Sequence, residues 1–266
     1  VDLSVFLLKI ISLERPFLSI ITVCYNAASV LEDTIKSVIE QTCDDYEYIV
    51  IDGASKDDTL NIIEEYNEYI TRWITEADKG IYDAMNKGIE LAQGKFIWFL
   101  NAGDTAFDRY VVQQLKESAG EHDVLYGDVM IVDAERKPLG LRSEITVHHL
   151  PSHLAKKDMQ RGMIVCHQGF IPLHHLAPFF IQNNLSADID WTIRILDQAK
   201  SVFKVDFILA EYLAGGVSKK KWKKSLLDRY DILKNHFGFT RTIFNHVLII
   251  GRAIIHRIKR GKKSHY

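Results

Sequence analysis

Residues 17–59 read FLSIITVCYNAASVLEDTIKSVIEQTCDDYEYIVIDGASKDDT, two apolar runs with a helical pattern between them. The runs FLSIITVCY (17–25) and YEYIVID (46–52) are rich in β-branched and aromatic residues, which is typical of buried strands. Between the two runs, apolar residues recur at the spacing of an amphipathic helix. The members of this stripe are Leu31, Ile35, Val38 and Ile39. The segment therefore predicts a strand, a helix and a second strand.

Capping patterns precede the helices that are expected after each of these strands. Ser29 and Glu32 form one capping box, and Ser55 and Asp58 form a second, looser one. In such a box the serine side chain accepts a hydrogen bond from the backbone N–H three residues later. We therefore expect the two serines to begin the helices.

The alternation of strands and helices continues toward the C-terminus. Strand-like apolar runs recur at 70–75, 95–100, 124–132 and 202–214, and helical stripes recur at 81–92, 107–118 and 188–199. Such alternation predicts βαβ units, and hence a mostly parallel central sheet flanked by helices. Residues 134–186 are rich in His and have no clear period, so they predict mixed, loop-like structure.

The composition is that of a globular protein, with 47% hydrophobic and 26% charged residues. The net charge of −2 is the sum of two segments with opposite charge. Residues 216–266 contain 14 Lys and Arg and 2 Asp and Glu, whereas residues 1–215 contain 19 Lys and Arg and 33 Asp and Glu. The basic part indicates an anionic partner, and we expect a membrane surface rather than nucleic acid. Three cysteines without a CxxC pair predict no disulfide framework and no zinc site, and they favour the reducing cytosol.

The chain divides into three predicted segments. Residues 1–16 form a lead that is too short to span a bilayer and has no signal-peptide cleavage pattern, 17–215 form the α/β domain, and 216–266 form a basic amphipathic helical tail. The apolar face of the tail consists of Ile243, Val247, Ile250, Ile254 and Ile258. This face predicts binding in a membrane interface, and packing on the domain or on a partner is the alternative.

Polar loops follow three of the predicted strands. Ligands of parallel sheets bind beyond the carboxyl ends of the strands, which singles out 25–27, 52–58 and 101–104. Asp52 can accept hydrogen bonds from a base or a ribose, or it can cap the next helix. Asp104 suits Mg²⁺ or Mn²⁺ bound through carboxylate and substrate phosphates, or it can again cap a helix.

Two carboxylates begin the last predicted helix of the domain. Asp188 and Asp190 lie in ADIDWTIRI (187–195). Acidic residues at this point favour the positive end of the helix dipole. Either carboxylate can also act as a general base if it reaches a substrate pocket, and the spacing does not choose between these roles.

Four motifs in this order resemble the family 2 glycosyltransferases: SIITVCYN (19–26), VIDGASKDDT (50–59), DKGIYDAMNKGIELAQGKFIWFLNAGD (78–104) and ADIDWTIRI (187–195). The resemblance covers about residues 17–215 and implies the Rossmann-like GT-A fold. It also implies an inverting transfer of a sugar from a nucleotide-sugar, with UDP favoured, to a hydroxyl of a glycan or lipid-linked acceptor. The similar enzymes are bacterial and build capsule, exopolysaccharide or O-antigen, which implies a cytoplasmic protein at the inner face of the plasma membrane.

The resemblance implies roles for individual residues as well. Asp188 matches the catalytic base, with Asp190 as the second choice because the acidic residue that often precedes the base is absent. Asp104 matches the ligand for Mg²⁺ or Mn²⁺, although Asn101 and Gly103 stand at positions that are usually acidic. The residues implied in nucleotide-sugar binding are Thr22, Tyr25, Asn26, Asp52, Gly53, Gly80, Asn86 and Asn101.

Three further side chains are candidates for contact with the acceptor or the diphosphate. They are His167, Gln168 and Asp128. The first two belong to CHQG (166–169), which is similar to His-Gln stretches in these transferases. A structural role is equally open for each of them.

Other functions are weighed against this interpretation. A sugar nucleotidylyltransferase usually carries a basic, Gly-rich loop, whereas CYNAAS (24–29) contains neither Lys nor Arg. A non-catalytic membrane-surface protein on a degenerate GT-A fold would need only the tail. A dinucleotide-dependent oxidoreductase is excluded because no GxGxxG follows the first strand.

Overall fold

The structure is a computed structural model that describes residues 15–147, 149–215 and 222–248. Most of the predicted lead, residues 216–221 and residues 249–266 lie outside the described residues. The same holds for Ile250, Ile254 and Ile258 of the predicted apolar face.

A parallel four-stranded sheet in the order β3-β2-β1-β4 forms the first half of the fold. Its strands are β1 (Leu18–Cys24), β2 (Tyr46–Asp52), β3 (Arg72–Thr75) and β4 (Phe96–Phe99). Leu18 pairs with Tyr46 and Cys24 pairs with Asp52, so the carboxyl ends of β1 and β2 meet at one edge. The residues of β1 and β4 are buried on both faces, as the uninterrupted apolar runs predict.

Helices cover both faces of this sheet. They are α1 (Leu31–Ile39), α2 (Thr59–Glu65), α3 (Ile81–Leu91), α4 (Val111–Ser118), α5 (Arg142–Ile145), α6 (Ala187–Gln198) and α7 (Trp222–Phe237), and short 3₁₀ turns include His167–Gly169. One apolar core joins α1, α2 and α4 to the sheet. A second core joins α3, α6 and α7 to the opposite face, around the buried Trp191. The predicted mostly parallel sheet flanked by helices is confirmed.

The two predicted capping boxes are wrong. Helix α1 begins at Leu31, and neither α1 nor α2 has a side-chain cap. The hydroxyl of Ser55 instead donates to Asp52 and accepts a hydrogen bond from the backbone N–H of Asn26, at 2.8 Å. The side chain therefore ties two strand-end loops together, and this tertiary contact replaces the local cap.

A second, mixed sheet in the order β5-β9-β6-β7 forms the other half, and β8 pairs with β6. Its strands are β5 (Thr105–Ala106), β6 (Val124–Val132), β7 (Pro138–Leu141), β8 (Phe170–Pro172) and β9 (Val202–Leu213). A bridge between Phe96 and Leu173 connects the two sheets. The indole N–H of Trp98 also donates to the carbonyl of Gln168, at 2.7 Å.

The described part of the tail is helical and packs on the domain. Helix α7 lies against α6, with Ile232 and Leu233 buried between them, and residues 239–248 are also helical. No helix within the described ranges is long and apolar enough to cross a membrane. Helix α7 of the tail therefore packs on the domain, which was the alternative to binding in a membrane interface.

Candidate active site

The carboxylate of Asp52 lies at the predicted edge of the sheet but is bonded inward. It is fully buried and accepts hydrogen bonds from the Ser55 amide at 3.0 Å, the Ser55 hydroxyl, and the Thr75 hydroxyl at 2.7 Å. The Cys24 thiol also lies 3.7 Å from an oxygen of this carboxylate. Asp52 therefore shapes the loop from within the protein.

Tyr25 and Gly53 follow β1 and β2 and lie next to each other at this edge of the sheet. The Tyr25 side chain is 62% exposed. A Cβ added to Gly53 would lie 3.3 Å from the Tyr25 ring and 2.7 Å from an oxygen of Asp78, so the close packing at this position requires glycine. Asn26 adopts a left-handed backbone with φ of 49°, and its side chain accepts from the Lys56 amide at 2.9 Å. These residues meet at one edge, as the sequence predicts.

Three other residues implied in donor binding lie elsewhere in the fold. Thr22 is fully buried, donates to the carbonyl of Leu100 at 2.7 Å and accepts from the Tyr48 hydroxyl at 3.0 Å. Thr22 therefore supports the sheet interior and has no surface for a ligand, which corrects its assignment. The amide of Asn86 bonds both backbone groups of Phe180, at 2.9 and 2.7 Å. Asn86 thus fixes the segment that precedes α6.

Gly80 is placed directly before α3. Its φ of 130° lies in the region that favours glycine, and no heavy atom lies within 4 Å of the position a Cβ would take. Gly80 therefore leaves open space beside the start of the helix.

The structure brings together Asn101, Asp104, His167 and Gln168. The Gln168 amide donates to Asp104 at 2.6 Å, and the Leu213 amide donates to the other oxygen of Asp104 at 3.1 Å. The Asn101 side-chain nitrogen lies 3.0 Å from His167 Nε2. Hydrogen bonds between residues more than 60 positions apart thus join the loop after β4, the 167–169 turn and β9.

Burial controls the charges in this cluster. It raises the pKa of Asp104 to about 7, against the lowering effect of hydrogen bonds from Gln168 and Leu213 and of the Arg136 charge. Burial, together with the Arg142 charge, lowers the pKa of His167 to about 4. His167 is therefore a neutral imidazole near pH 7 and cannot offer a positive charge to a diphosphate.

The residues around Asp104 do not fit a resident Mg²⁺ or Mn²⁺. Asp104 is 5% exposed, and each of its oxygens already accepts a hydrogen bond from the protein. Asn101 Oδ1 is a buried acceptor without a partner in the described residues, but it is a single neutral ligand. No group of three or more His, Cys, Asp and Glu that could hold a metal occurs in the described ranges.

Asp188 lies in the first turn of α6 and is half-buried. The backbone N–H of Ile189 lies 3.0 Å from one oxygen. The Tyr82 hydroxyl of α3 donates to the nearby Leu185 carbonyl at 3.4 Å. Burial raises the pKa of Asp188, while the Ile189 hydrogen bond, the neighbouring Tyr82 hydroxyl and the charge of Arg229 lower it. The same carboxylate acts electrostatically on Cys166 and Tyr212, which also feel Asp104. Asp188 and Asp104 therefore influence the same two side chains.

Asp190, the second choice for the base, is occupied by structural contacts. One oxygen accepts from Arg194 Nε at 2.7 Å, and the other lies 2.7 Å from His236 Nε2 of α7. Asp190 is buried and fastens α7 to α6. This corrects the choice of Asp190 as an alternative base.

Asp128 also has a structural role. Its Oδ1 accepts from its neighbour Val129 at 2.9 Å and from the Ser143 amide at 3.2 Å. It sits where the pairing of β6 with β9 shifts register. Asp128 therefore holds this irregular strand to the start of α5.

A large open depression of about 560 Å³ lies away from these groups. It is lined by Arg15, Ile89, Glu90, His174, His175, Ala177, Pro178 and Phe179. None of the predicted site residues contributes to its wall, so the chemistry is assigned to the strand ends instead.

Relatives with known names cover most of the chain. The chain is 30% identical over 229 residues to the PGL/p-HBAD biosynthesis glycosyltransferase of Mycobacterium bovis. This match covers 82% of this chain and 85% of the relative. The chain is 27% identical over 218 residues to the putative teichuronic acid biosynthesis glycosyltransferase TuaG of Bacillus subtilis, which covers 79% and 84%.

Solved structures share the fold. TarS 1-349 of S. aureus in complex with UDP-GlcNAc matches with a TM-score of 0.59 and 16% identity, covering 82% of this chain and 66% of that chain. The mannosyltransferase PcManGT of Pyrobaculum calidifontis in complex with GDP-Man and Mn²⁺ matches with a TM-score of 0.57 and 14% identity, covering 91% and 76%. The predicted GT-A fold is confirmed.

The sequence profile of one family matches more than half of the chain. Its description is "Glycosyl transferase family 2", and it matches residues 19–176. With the 30% identity to a named glycosyltransferase and the shared fold, this match shows that the chain belongs to glycosyl transferase family 2.

Proposed function

We propose that this glycosyltransferase moves a sugar from a UDP-sugar to a hydroxyl of a glycan or lipid-linked acceptor, with inversion at the anomeric carbon. The observation that carries the proposal is the half-buried carboxyl of Asp188 in the first turn of α6, which acts electrostatically on Tyr212 together with Asp104. Because burial raises its pKa, the ionised form accepts a proton more readily than an exposed carboxylate would.

The reaction is a single displacement. Asp188 accepts the proton of the acceptor hydroxyl while the hydroxyl oxygen attacks the anomeric carbon. The new C–O bond forms on the face opposite the nucleotide, the bond to the diphosphate breaks, and the nucleoside diphosphate leaves. Asp190 is unavailable for this role because Arg194 and His236 occupy its oxygens.

The nucleotide end of the donor is assigned to the edge of the sheet at Tyr25. Bases stack on aromatic rings, and the Tyr25 ring is largely exposed at the strand edge. Similar solved structures contain UDP-GlcNAc and GDP-Man, so both bases are tested below. UDP is proposed on the resemblance to the family.

The acceptor is proposed to be a growing cell-surface glycan or glycolipid. The relatives are named for PGL/p-HBAD biosynthesis and for teichuronic acid biosynthesis. Capsule, exopolysaccharide and O-antigen units belong to the same chemical class, with sugar hydroxyls on a polymer or lipid carrier.

The tail is proposed to hold the enzyme at the inner face of the plasma membrane, with residues 17–215 as the catalytic domain. Apolar side chains remain exposed on its helices: Leu226, Leu227, Phe239, Ile243, Phe244, Val247 and Leu248. The same part of the chain, 216–266, has 14 basic against 2 acidic residues. Apolar side chains with surrounding positive charge match an anionic lipid surface.

The transfer proposal is tested with nucleotides first and turnover second. Melting temperatures are measured with UDP, GDP and dTDP, each with and without Mn²⁺, because a ligand of the folded state raises the melting temperature. Release of the nucleoside diphosphate is then followed with UDP-glucose, UDP-GlcNAc and GDP-mannose, with water as the acceptor of the sugar, for wild type and Asp188→Asn. The variant should keep the nucleotide shift and lose at least about 100-fold in turnover.

A matched control is Asp197→Asn, an exposed carboxylate on the same helix. It should turn over the donor like wild type. Equal turnover by Asp188→Asn, or no shift with any nucleotide, would contradict the proposal.

The membrane proposal is tested by sedimentation with vesicles. Phosphatidylcholine vesicles with and without phosphatidylglycerol are compared for wild type and for Leu227→Ser/Phe244→Ser. Wild type should bind the anionic vesicles, and the double variant should bind them at least several-fold less. Equal sedimentation of both proteins would contradict the proposal that the exposed apolar side chains of the tail bind lipid.

A further inference from the structure

Helix α7 contacts the two residues that lead into the helix of the candidate base. The Asp228 carboxylate accepts from the Leu185 backbone N–H at 2.7 Å. The Ser186 hydroxyl donates to the carbonyl of Ser225 at 3.1 Å. These contacts come two and three residues before Asp188, so α7 fixes the backbone from which that side chain projects.

A third contact follows the base. His236, near the end of α7, lies 2.7 Å from the Asp190 carboxylate. Contacts on both sides of Asp188 therefore come from one helix, whose buried face also includes Ile232 and Leu233.

Arg229 lies on that same face of α7, between the residues that contact positions 185, 186 and 190. A Cβ on Gly162 would lie 3.7 Å from its Cδ and Nη1, which places the guanidinium against the turn at Gly162. Arg229 Nε is buried and has no hydrogen-bond partner in the described residues. The charge that acts on the guanidinium is that of Asp188, while burial lowers the pKa of Arg229.

Titratable groups from four parts of the fold interact electrostatically with Asp188. They are Tyr82 of α3, Arg229 of α7, Tyr212 of β9 and Cys166 before the 167–169 turn. Burial raises the pKa of Cys166 to about 11 and also raises the pKa values of Tyr82 and Tyr212. These three groups are therefore neutral near pH 7, and Arg229 supplies the positive charge.

We propose that Arg229 is a positioning residue of the catalytic centre, whose guanidinium keeps Asp188 ionised and oriented, so that α7 is part of the catalytic unit. The proposal rests on the role of Asp188 in the proposed function. It assigns to the C-terminal helix a task in the reaction, separate from binding lipid through its exposed face.

The first test is the pH dependence of turnover. UDP release from UDP-glucose and UDP-GlcNAc is measured between pH 5 and 9 for wild type, Arg229→Gln, Arg229→Lys and the control Lys234→Gln. Loss of an adjacent positive charge raises the pKa of a carboxyl, so the acid limb of Arg229→Gln should move up by about one pH unit or more. Arg229→Lys should restore most of that shift.

The control removes a charge from the exposed side of the same helix, where Lys234 pairs with Asp231. Its profile should match wild type. An acid limb that is unchanged in Arg229→Gln, or shifted equally in Lys234→Gln, overturns the proposal.

The second test does not depend on turnover. Melting temperatures of wild type, Arg229→Gln, Asp188→Asn and the double variant are compared at pH 8 and pH 4.5. Arg229→Gln should lower the melting temperature more at pH 8, because Asp188 is then ionised and unpaired. The loss should largely vanish in the Asp188→Asn background, and an equal loss there overturns the proposal.

The two proposals fail in different ways. If wild type turns over no probe, the proposed function is contradicted, while the melting temperatures still decide whether Arg229 controls the ionisation of Asp188. If wild type is active and the profile of Arg229→Gln is unshifted, only the role of Arg229 is wrong.

Discussion

The side-chain amide of Gln168 donates a 2.6 Å hydrogen bond to Asp104, although 64 positions of sequence separate the two residues. The Leu213 amide binds the second oxygen at 3.1 Å. Asp104 was expected to present a free carboxylate to a metal ion. Its carboxylate instead joins β9 and the 167–169 turn to the end of β4, in an environment that favours its protonated form.

The stability of the protein should depend on the proton at Asp104. Its pKa is raised to about 7 in the folded state, so this group favours folding below pH 4 and loses that contribution as the pH rises toward 7. The free-energy difference between wild type and Asp104→Asn should change over this range by as much as about 4 kcal/mol. Urea unfolding at pH 4.5 and 7.5 measures it.

The control for this comparison is Asp197→Asn on the surface of α6. Its difference from wild type should change little with pH. A constant difference for Asp104→Asn would mean that Asp104 is not held in its protonated form.

Free protein should bind Mn²⁺ poorly. Both oxygens of Asp104 are occupied, and the described residues include no cluster of three metal-ligating side chains. Calorimetric titration of Mn²⁺ should show no stoichiometric binding in the micromolar range. Tight one-to-one binding without nucleotide, lost in Asp104→Ala, would restore the metal assignment.

Replacement of Asp190 should affect stability rather than chemistry. The buried Asp190 carboxylate pairs with both Arg194 and His236, so Asp190→Ala leaves two partners without an acceptor. We expect a loss of about 3 kcal/mol in the free energy of unfolding. The turnover per folded molecule, measured at low temperature, should stay within a few-fold of wild type.

The exposed pair of Asp197 and Lys156 gives the contrast. Asp197→Ala should cost less than about 1 kcal/mol. If Asp190→Ala abolished turnover while the protein stayed folded, Asp190 would regain its candidacy as the base.

Nucleotide affinity should depend on the ring of Tyr25. Stacking of a base on an aromatic side chain contributes about 1–3 kcal/mol, so Tyr25→Ala should weaken UDP binding by about fivefold or more. Tyr25→Phe keeps the ring and should bind like wild type. The dissociation constants are measured by calorimetry.

Tyr69 provides a matched control, since it is 60% exposed and lies before β3, at the amino end of the sheet rather than at the carboxyl end where Tyr25 lies. Tyr69→Ala should leave the UDP affinity unchanged. A normal affinity in Tyr25→Ala would place the base elsewhere.

The parallel sheet and its ligand edge follow from the sequence. Apolar runs bounded by polar loops form buried strands because burial of both faces requires continuous hydrophobic residues. The register then brings Cys24 and Asp52 to one edge, with Tyr25 and Gly53 just beyond it. The family motifs marked Asn101, Asp104, His167 and Gln168 as separate candidates, and no spacing in the sequence specifies the hydrogen bonds between them.

The sequence by itself determined the GT-A fold, the family and the edge at which the candidate site is proposed, because hydrophobic periodicity and the motifs can be read along the chain. Only the tertiary structure decided which carboxylates are free. Asp188 and Asp190 are two residues apart, yet Asp190 is bound by Arg194 and by His236 of α7, whereas Asp188 accepts a hydrogen bond from its own neighbour Ile189. The packing of α7 against α6, which no local pattern specifies, supplies the His236 contact that separates the two carboxylates.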